Sequence, residues 1–240
     1  MTIDYICDTK TNDTAMKRSE INQIIRENKA LCKKGHFMLP EWAEWTPADW
    51  AAKGEECIEI KRNCMGWDIT DFGSGDFAKV GLSLITLRNG NPEYDRKPYC
   101  EKIMMVRDGQ VTPTHFHWNK MEDIIFREGE GEFCMKLWNA DPKTEEKIEG
   151  GIVKLKVDGV VTEFEAGKTY KIKKGQSVCY TPYIYHTFWA EGGTCLIGEV
   201  SMVNDDAADN RFWEPVGRFP EIEEDVPAEA LLCNEYPELK

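Results

Sequence analysis

The chain has 240 residues, of which 41% are hydrophobic and 30% are charged, as in an ordinary soluble globular protein. A formal net charge of −13 argues against nucleic acid as a partner, because phosphates are met by a basic face. No apolar run is long enough to cross a membrane, and the start, MTIDYICDTKTNDT, lacks the pattern of a signal peptide. Nine cysteines without a C-x-x-C pair indicate reduced thiols, so a cytoplasmic protein is the simplest interpretation.

The first quarter of the chain is predicted to be helical. The segment SEINQIIRENKALCKKG places its apolar residues on one helical stripe, with Ser19 as the N-cap and Gly35 as the stop. A second helix is predicted to begin after Thr46, with Pro47 at the first helical position. Helical structure is expected to continue to about Met65.

The middle of the chain is predicted to be rich in strands. The segment GWDITDFGSGDFAKVG, which is rich in Gly and Asp, is predicted to be an ordered loop. From Val80 onward apolar residues alternate with a period close to two, and Asp158-Gly159 predicts a tight hairpin turn. The parts of this single predicted domain are a helical region with an ordered loop at 1–77, a β-barrel at 78–203 and a C-terminal arm at 204–240.

Two of the four histidines lie two residues apart in the stretch GQVTPTHFHWNKMEDIIFREG. In a strand, residues i and i+2 point to the same face, so the imidazoles of His115 and His117 converge. Glu122 follows after a short step, and His186 lies much further along the chain. Imidazoles with one carboxylate could bind a first-row divalent metal, and a chance H-x-H pair on a solvated strand is the alternative.

Glycines surround these residues at regular spacing, which gives G-x5-H-x-H-x4-E-x6-G from Gly109 to Gly129. A second block runs from Gly175 to His186. The two blocks resemble the cupin motifs, although the second departs from them at its turn, where Ile184 replaces a usual Gly. The resemblance implies a mainly β fold, a small antiparallel barrel of jelly-roll type, with the metal ligands His115, His117, Glu122 and His186.

Three stretches carry a longer resemblance. PTHFHWNKMEDI, GWDITDFGSGDFAK and the C-terminal GEVSMVNDD…DNRFWEPVGRFPEIEED…LLCNEYP are similar to D-lyxose isomerases, a sugar-isomerase family of cupins. The resemblance implies an aldose–ketose isomerase that interconverts D-lyxose and D-xylulose, and also D-mannose and D-fructose. It implies Mn²⁺ as the metal, a monosaccharide as the partner and proton transfer through an enediolate.

Proton transfer requires residues next to the metal. Lys120 lies in the step between the ligands, where the family has its catalytic lysine, and a nearby cation should lower its pKa. A solvated lysine at the rim is the alternative. Glu199, in the apolar strand CLIGEVSMV, is one candidate for the partner acid, because a carboxylate is costly there unless it is paired or used. Glu221 is the other, since the family's second acid lies in its C-terminal portion.

The sugar needs polar and aromatic contacts. Asp206 and Arg211, in VNDDAADNR, are candidate substrate ligands, and their alternative role is to tie down the exit turn. Trp118 is a candidate stacking wall, and core or interface packing is the alternative. His36 follows a helix stop and is predicted to be a packed or capping residue.

Other cupin chemistries remain open from the sequence. An iron-dependent dioxygenase would take an apolar or thiol substrate, whereas the polar Asn119 and Lys120 fit a sugar better. A sugar-phosphate isomerase should carry a basic cluster, and Lys102 and Arg107 are too scattered to indicate one. A non-catalytic metal-binding storage or sensor protein is the remaining alternative. Exposed strand edges, together with the family resemblance, predict a homodimer.

Overall fold

The computed structural model describes residues 15–237. The predictions for the N-terminal stretch, which contains Cys7, lie outside these residues. The helices are α1 Arg18–Lys34, α2 Pro47–Ala51 and α3 Ile58–Arg62, with 3₁₀ turns at Glu41–Glu44 and Glu55–Cys57. The strands are β1 Met16–Lys17, β2 Gly66–Thr70, β3 Leu82–Asn89, β4 Tyr99–Val106, β5 Val111–Phe116, β6 Glu122–Gly129, β7 Glu132–Asn139, β8 Ile152–Val157, β9 Val160–Glu165, β10 Tyr170–Ile172, β11 Ser177–Tyr180, β12 Ile184–Glu191, β13 Cys195–Met202, β14 Arg211–Phe212 and β15 Ile222–Glu223.

The predicted first helix is present, but its start differs from the prediction. The residue that precedes α1 is Lys17, and Ser19 lies inside the helix. The backbone amide and hydroxyl of Ser19 donate to the carboxylate of Asp225 at 2.9 and 2.6 Å, so the polar side chain attaches the C-terminal arm instead of capping the helix. His36 is exposed just beyond the helix, where its backbone amide donates to a carbonyl of the last turn. It is therefore not packed.

The second predicted helix start is confirmed. The Thr46 side chain accepts a hydrogen bond from the Asp49 amide, and the Asp49 carboxylate accepts one from the Thr46 amide. This reciprocal pair satisfies two amide groups that a helix start leaves without partners. The helix is nevertheless short, and the following segment continues as a 3₁₀ turn and α3, which ends at Arg62.

Two antiparallel sheets build the barrel. The larger has eight strands in the order β2-β3-β4-β13-β6-β11-β8-β9, and the smaller has five in the order β10-β7-β12-β5-β14. The main apolar cluster includes residues from the facing strands of both sheets, such as Met104, Ile197, Leu137 and Phe188. A second cluster joins α1 to strands of the larger sheet and contains Ile21 and Ile24. The predicted antiparallel barrel with N-terminal helices is therefore present.

The segment predicted as an ordered loop begins with a strand. All five residues of β2 are buried and pair with β3. Trp67 and Ile69 join the cluster that contains α1, while Asp68 and Thr70 alternate with them. The loop proper starts at Asp71. Strands β2 and β14 extend the sheets beyond the predicted barrel range of 78–203 on both sides.

Two further predictions concern the whole chain. Between residues 15 and 237, no helix combines the length and apolar character that crossing a bilayer requires. The eight cysteines in this part of the chain are free thiols, as predicted.

Candidate active site

The three predicted imidazole ligands converge inside the barrel. His115 on β5 and His186 on β12 are direct partners across the strand pair, and His117 follows the end of β5. One ring nitrogen of each lies within 4.8 Å of those of the other two. Glu122 opens β6, and its Oε1 atom lies 3.4 Å from His117 Nε2 and 3.3 Å from His186 Nε2. The fold therefore brings all four predicted ligands together.

Backbone carbonyls orient the three rings. The Nδ1 atoms of His115, His117 and His186 lie 2.8, 2.7 and 3.0 Å from the carbonyl oxygens of Pro113, Asp209 and Ile184. A carbonyl only accepts, so each Nδ1 donates, and Nε2 is the ring nitrogen left to bind a metal. The Nε2 atoms of His117 and His186 are buried without a hydrogen-bond partner among the described residues.

The charges of this cluster suit a cation. Burial and the neighbouring His186 and His117 imidazoles hold the pKa of His115 well below its usual value, so its ring is neutral. Burial would raise the pKa of Glu122, but Lys120 and His117 hold it well below its usual range. Imidazole nitrogens and an anionic carboxylate oxygen thus converge on one point, which is the ligand chemistry of first-row divalent metals. The donor set fits a divalent metal.

Lys120 lies beside the four ligands and is buried. Its Nζ atom is 2.9 Å from Glu122 Oε2 and 3.2 Å from Glu199 Oε1. Burial lowers the pKa of Lys120, yet the Glu122 and Glu199 carboxylates outweigh it and the pKa is raised. The protein groups alone therefore raise this pKa, whereas the sequence-based expectation of a lowered pKa concerns a lysine beside a bound cation.

Glu199 is held between two lysines. It is buried on β13, opposite Lys102 on β4. Lys102 Nζ lies 3.4 Å from Glu199 Oε1, and the Ser201 hydroxyl donates to the same oxygen at 3.0 Å. Glu199, which the sequence singled out as a carboxylate in an apolar strand, is thus paired, and one of its partners is Lys120.

A second group of charges lies where the site opens outward. Arg218 Nη2 is 2.5 Å from Asp68 Oδ2 and 3.1 Å from Asp206 Oδ2. Burial would raise the pKa of Asp206, but Lys102 and Arg218 hold it well below its usual range. Asp206 therefore remains an anion between the inner lysine and the outer arginine.

Two adjoining cavities give access to these residues. The inner cavity, of about 70 Å³, is lined by His115, His117, Lys120, Glu122 and Glu199 together with apolar side chains. The outer cavity has a volume of about 710 Å³. Both are lined by Asp206, Asn210, Phe212 and Arg218, so the inner site communicates with the outer cavity along this shared wall.

Three of the residues predicted for the site lie elsewhere. The Trp118 indole donates to Glu145 Oε1 at 2.7 Å, and Arg211 Nε lies 3.4 Å from Glu145 Oε2. Neither residue lines the two cavities. Glu221 is exposed, its carbonyl accepts from the Met16 amide at 2.8 Å, and it also lines neither cavity. Asp206, Glu199 and Lys120 are the predicted non-ligand residues that the fold brings to the site.

Several residues that hold this arrangement were not predicted from the sequence. The Asp209 carboxylate accepts from the backbone amides of Asn119 and Lys120 at 2.9 and 2.8 Å, and its carbonyl orients His117. Lys102 and Arg218 were not predicted either. An inward position in an alternating strand was the available signal for Lys102, whereas Asp209 and Arg218 reach the site from a distant, irregular part of the chain.

This fold and donor set define a cupin-type barrel with a candidate divalent-metal centre. L-ribose isomerase from Acinetobacter sp. DL28 is similar in structure, with a TM-score of 0.59 at 15% identity over 88% of this chain and 99% of that chain. The enzyme from Cellulomonas parahominis is similar with a TM-score of 0.55 at 15% identity over the same shares. The predicted fold class is confirmed.

The chain belongs to the D-lyxose isomerase family, whose model matches residues 16–236. The D-lyxose/D-mannose isomerase of Escherichia coli O157:H7 is 44% identical over 233 residues, which cover 94% of this chain and 100% of that protein. That of Serratia proteamaculans is 45% identical over 229 residues, 92% of this chain and 98% of the relative. The predicted family and enzyme class are confirmed: this protein is a sugar isomerase of the aldose–ketose type.

Proposed function

We propose that this enzyme interconverts D-lyxose with D-xylulose and D-mannose with D-fructose, and that it depends on a divalent metal, Mn²⁺ in the first place. The observation that carries the proposal is the convergence of three imidazoles and one carboxylate beside Lys120 and Glu199, with His115, His117 and Glu122 lining the inner cavity. The names of two relatives at 44% and 45% identity support the choice of sugars.

The metal ligands in this proposal are His115, His117, Glu122 and His186. A bound divalent cation would polarise the oxygens at C1 and C2 of the open-chain sugar and stabilise the negative charge that develops when the C2 proton leaves. Imidazole and carboxylate together suit several first-row metals, Mn²⁺ among them.

Lys120 and Glu199 carry the proton between C2 and C1. Their side chains are 3.2 Å apart, and each contacts further polar groups that fix its position. Ser201 and Lys102 hold Glu199, while Asp209 holds the backbone of Lys120. The exposed Glu221 has less support as the partner acid.

A neutral sugar fits the inner cavity better than a sugar phosphate. Each lysine and arginine side chain that lines this cavity already has a carboxylate partner within 4 Å: Lys102 with Glu199, Lys120 with Glu122 and Arg218 with Asp68. A phosphate requires cations that are free to bind it. We assign hydroxyl contacts to Asp206, which lines both cavities. Trp118 and Arg211 both contact Glu145, and we assign to them the role of holding the loop that carries it.

We also propose a cytoplasmic homodimer. The free cysteine thiols suit a reducing compartment. Exposed apolar side chains lie together on β4 (Tyr99), on β13 (Val200 and Met202) and just before β6 (Met121), and Tyr99 and Met202 are direct partners. Such a patch supports contact with a second copy. Light scattering during gel filtration would measure the mass.

Metal removal and reloading test the proposed function. Chelator-stripped protein should form no ketose from D-lyxose or D-mannose, and Mn²⁺ should restore turnover. His115→Ala should lose bound metal and lower turnover about 100-fold or more, because three donors remain of four. His36→Ala is the matched control, since His36 is exposed and outside the site. Unchanged metal content and turnover in His115→Ala would contradict the proposal.

A further inference from the structure

One hydroxyl that lines the inner cavity has no partner among the described residues. Thr112 on β5 is 2% exposed, and its Oγ1 atom makes no hydrogen bond. The carbonyl of Thr112 is satisfied, because it accepts from the Thr187 hydroxyl at 2.6 Å. An unpaired buried hydroxyl costs about 1–3 kcal/mol, so a group of this kind in a ligand cavity calls for an explanation.

Apolar side chains form part of the surroundings of Thr112. Its direct neighbour across the strand pair is Phe188, and the cavity wall includes Leu82, Leu84 and Met104. The lysines and the arginine that line the same cavity already have carboxylate partners: Lys102 pairs with Glu199, Lys120 with Glu122 and Glu199, and Arg218 with Asp68. Thr112 can therefore bind an incoming polar group without breaking a contact inside the protein.

We infer that Thr112 is a specificity-determining residue, whose hydroxyl forms a hydrogen bond with one sugar hydroxyl beyond the C1–C2 end that reacts. The inference rests on the proposed function. A threonine hydroxyl both donates and accepts, which matches a sugar hydroxyl. A site built to bind a substrate hydroxyl discriminates strongly against the analogue that lacks it.

The test compares wild type and Thr112→Val, both loaded with Mn²⁺, on D-mannose and its 3-, 4- and 6-deoxy analogues. Valine keeps the shape of threonine and removes the hydroxyl. For D-mannose, kcat/KM should fall about 5- to 150-fold, which corresponds to a sugar hydroxyl left unpaired. For one analogue the two proteins should have the same kcat/KM, because the partner of Thr112 is then missing from the sugar. Thr112→Ser, which keeps the hydroxyl, should stay closer to wild type.

Thr187→Val is the matched control, because Thr187 is a buried threonine on the adjacent strand whose hydroxyl bonds inside the protein. Thr187→Val should lower Tm and change kcat/KM by the same factor for all four sugars. Thr112→Val should not lower Tm. The inference would be overturned if wild type and Thr112→Val had equal kcat/KM on D-mannose. It would also be overturned if Thr112→Val changed kcat/KM by the same factor for all four sugars.

Two further outcomes are distinguishable. If Thr112→Val did not fold, the wild type alone would decide: less than about 5-fold discrimination against every deoxy analogue would overturn the inference. If metal-loaded wild type formed no ketose from D-mannose or D-lyxose, the proposed function would fail and the inference would fail with it. Normal wild-type turnover with an unaffected Thr112→Val would remove the inference alone.

Discussion

Each imidazole of the site is oriented by a main-chain carbonyl. For His115 and His186 that carbonyl lies two residues earlier on the same strand, so the strand itself fixes the tautomer. For His117 it belongs to Asp209, whose carboxylate also holds the amide of Lys120. One residue thus sets the position of a proposed metal ligand and of the lysine proposed for proton transfer.

Replacement of Lys120 by Met tests that lysine. The variant should keep its metal, because none of the four ligands changes, while kcat should fall about 100- to 10,000-fold, the usual contribution of a general acid or base. Metal per chain and kcat are the measurements, and Tm reports whether the variant is folded. Lys143→Met, at an exposed loop position, is the control. Normal turnover of Lys120→Met would exclude the lysine from proton transfer.

For individual site residues, the sequence was most informative where the residues lie close together along the chain. His115, His117 and Glu122 lie within eight residues, so the alternation of a strand brings the two imidazoles together and the short step to β6 brings the carboxylate beside them. Glu199 stood out as a carboxylate in an apolar strand, and it proves to be buried against Lys120. The arginine at 218 could not be placed, because it reaches Asp68 across 150 positions of the chain.

Strands were predicted from the alternation of apolar and polar residues, and the predicted hairpin is present. The Asp158-Gly159 turn joins β8 and β9 as predicted, with both residues at positive φ. In β2 the alternation of Trp67 and Ile69 with two polar residues was present, but the Gly- and Asp-rich segment that follows obscured it. Strand order was beyond prediction, because β13 lies between β4 and β6 through contacts far apart in the chain.

The two glycines that frame the first metal motif have different physical roles. Gly109 has φ +72° and no atom within 4 Å of the place where a Cβ would lie. Gly129 ends β6 with φ +147°, and a Cβ there would collide with the Thr194 carbonyl oxygen. Gly109 is therefore needed only for its backbone conformation, whereas Gly129 also lets the end of β6 lie close to the backbone at Thr194.

Alanine substitutions should separate these roles. Gly109→Ala should cost about 1–2 kcal/mol of stability for the left-handed conformation. Gly129→Ala should cost a further ~1–3 kcal/mol, because the clash is with backbone that cannot move aside. Each kcal/mol lowers Tm by about 2–4 °C in a domain of this size. A Gly129→Ala protein as stable as Gly109→Ala would show that the close approach is not required.

The C-terminal arm links the first helix to the active site. Arg18, at the start of α1, is buried and contacts the Glu224 carboxylate at 2.6 Å and that of Glu235. The same arm supplies Arg218 to the cavity wall. The attachment of the arm to α1 therefore supports the site as well as the stability of the fold.

Substitution of Arg18 by Met tests this attachment. It should lower the free energy of unfolding by about 1–3 kcal/mol, because several hydrogen bonds to charged groups are lost. Arg26→Met is the matched control on the same helix: Arg26 pairs with Glu229 of the arm, but both side chains are half exposed, so a loss below about 1 kcal/mol is expected. Denaturant unfolding measures both. Equal losses would contradict a special role for the buried arginine.

The same attachment should depend on pH. The hydrogen bond from Arg18 lowers the pKa of Glu224 below its ordinary value of 4.5. A lowered folded-state pKa stabilises the protein above the ordinary value and loses that effect as pH falls through the folded-state value. The stability difference between wild type and Arg18→Met should therefore narrow as pH falls below 4.5.

The most direct test of the central claim is ketose formation from D-lyxose in D₂O, by protein stripped of metal and by protein reloaded with Mn²⁺. We expect D-xylulose from the reloaded protein alone, with solvent deuterium at C1, because Lys120 and Glu199 exchange protons with water. D-xylulose without deuterium would keep the isomerase and favour a hydride shift or a shielded proton transfer. No D-xylulose from the reloaded protein, or equal amounts from the stripped protein, would contradict the account.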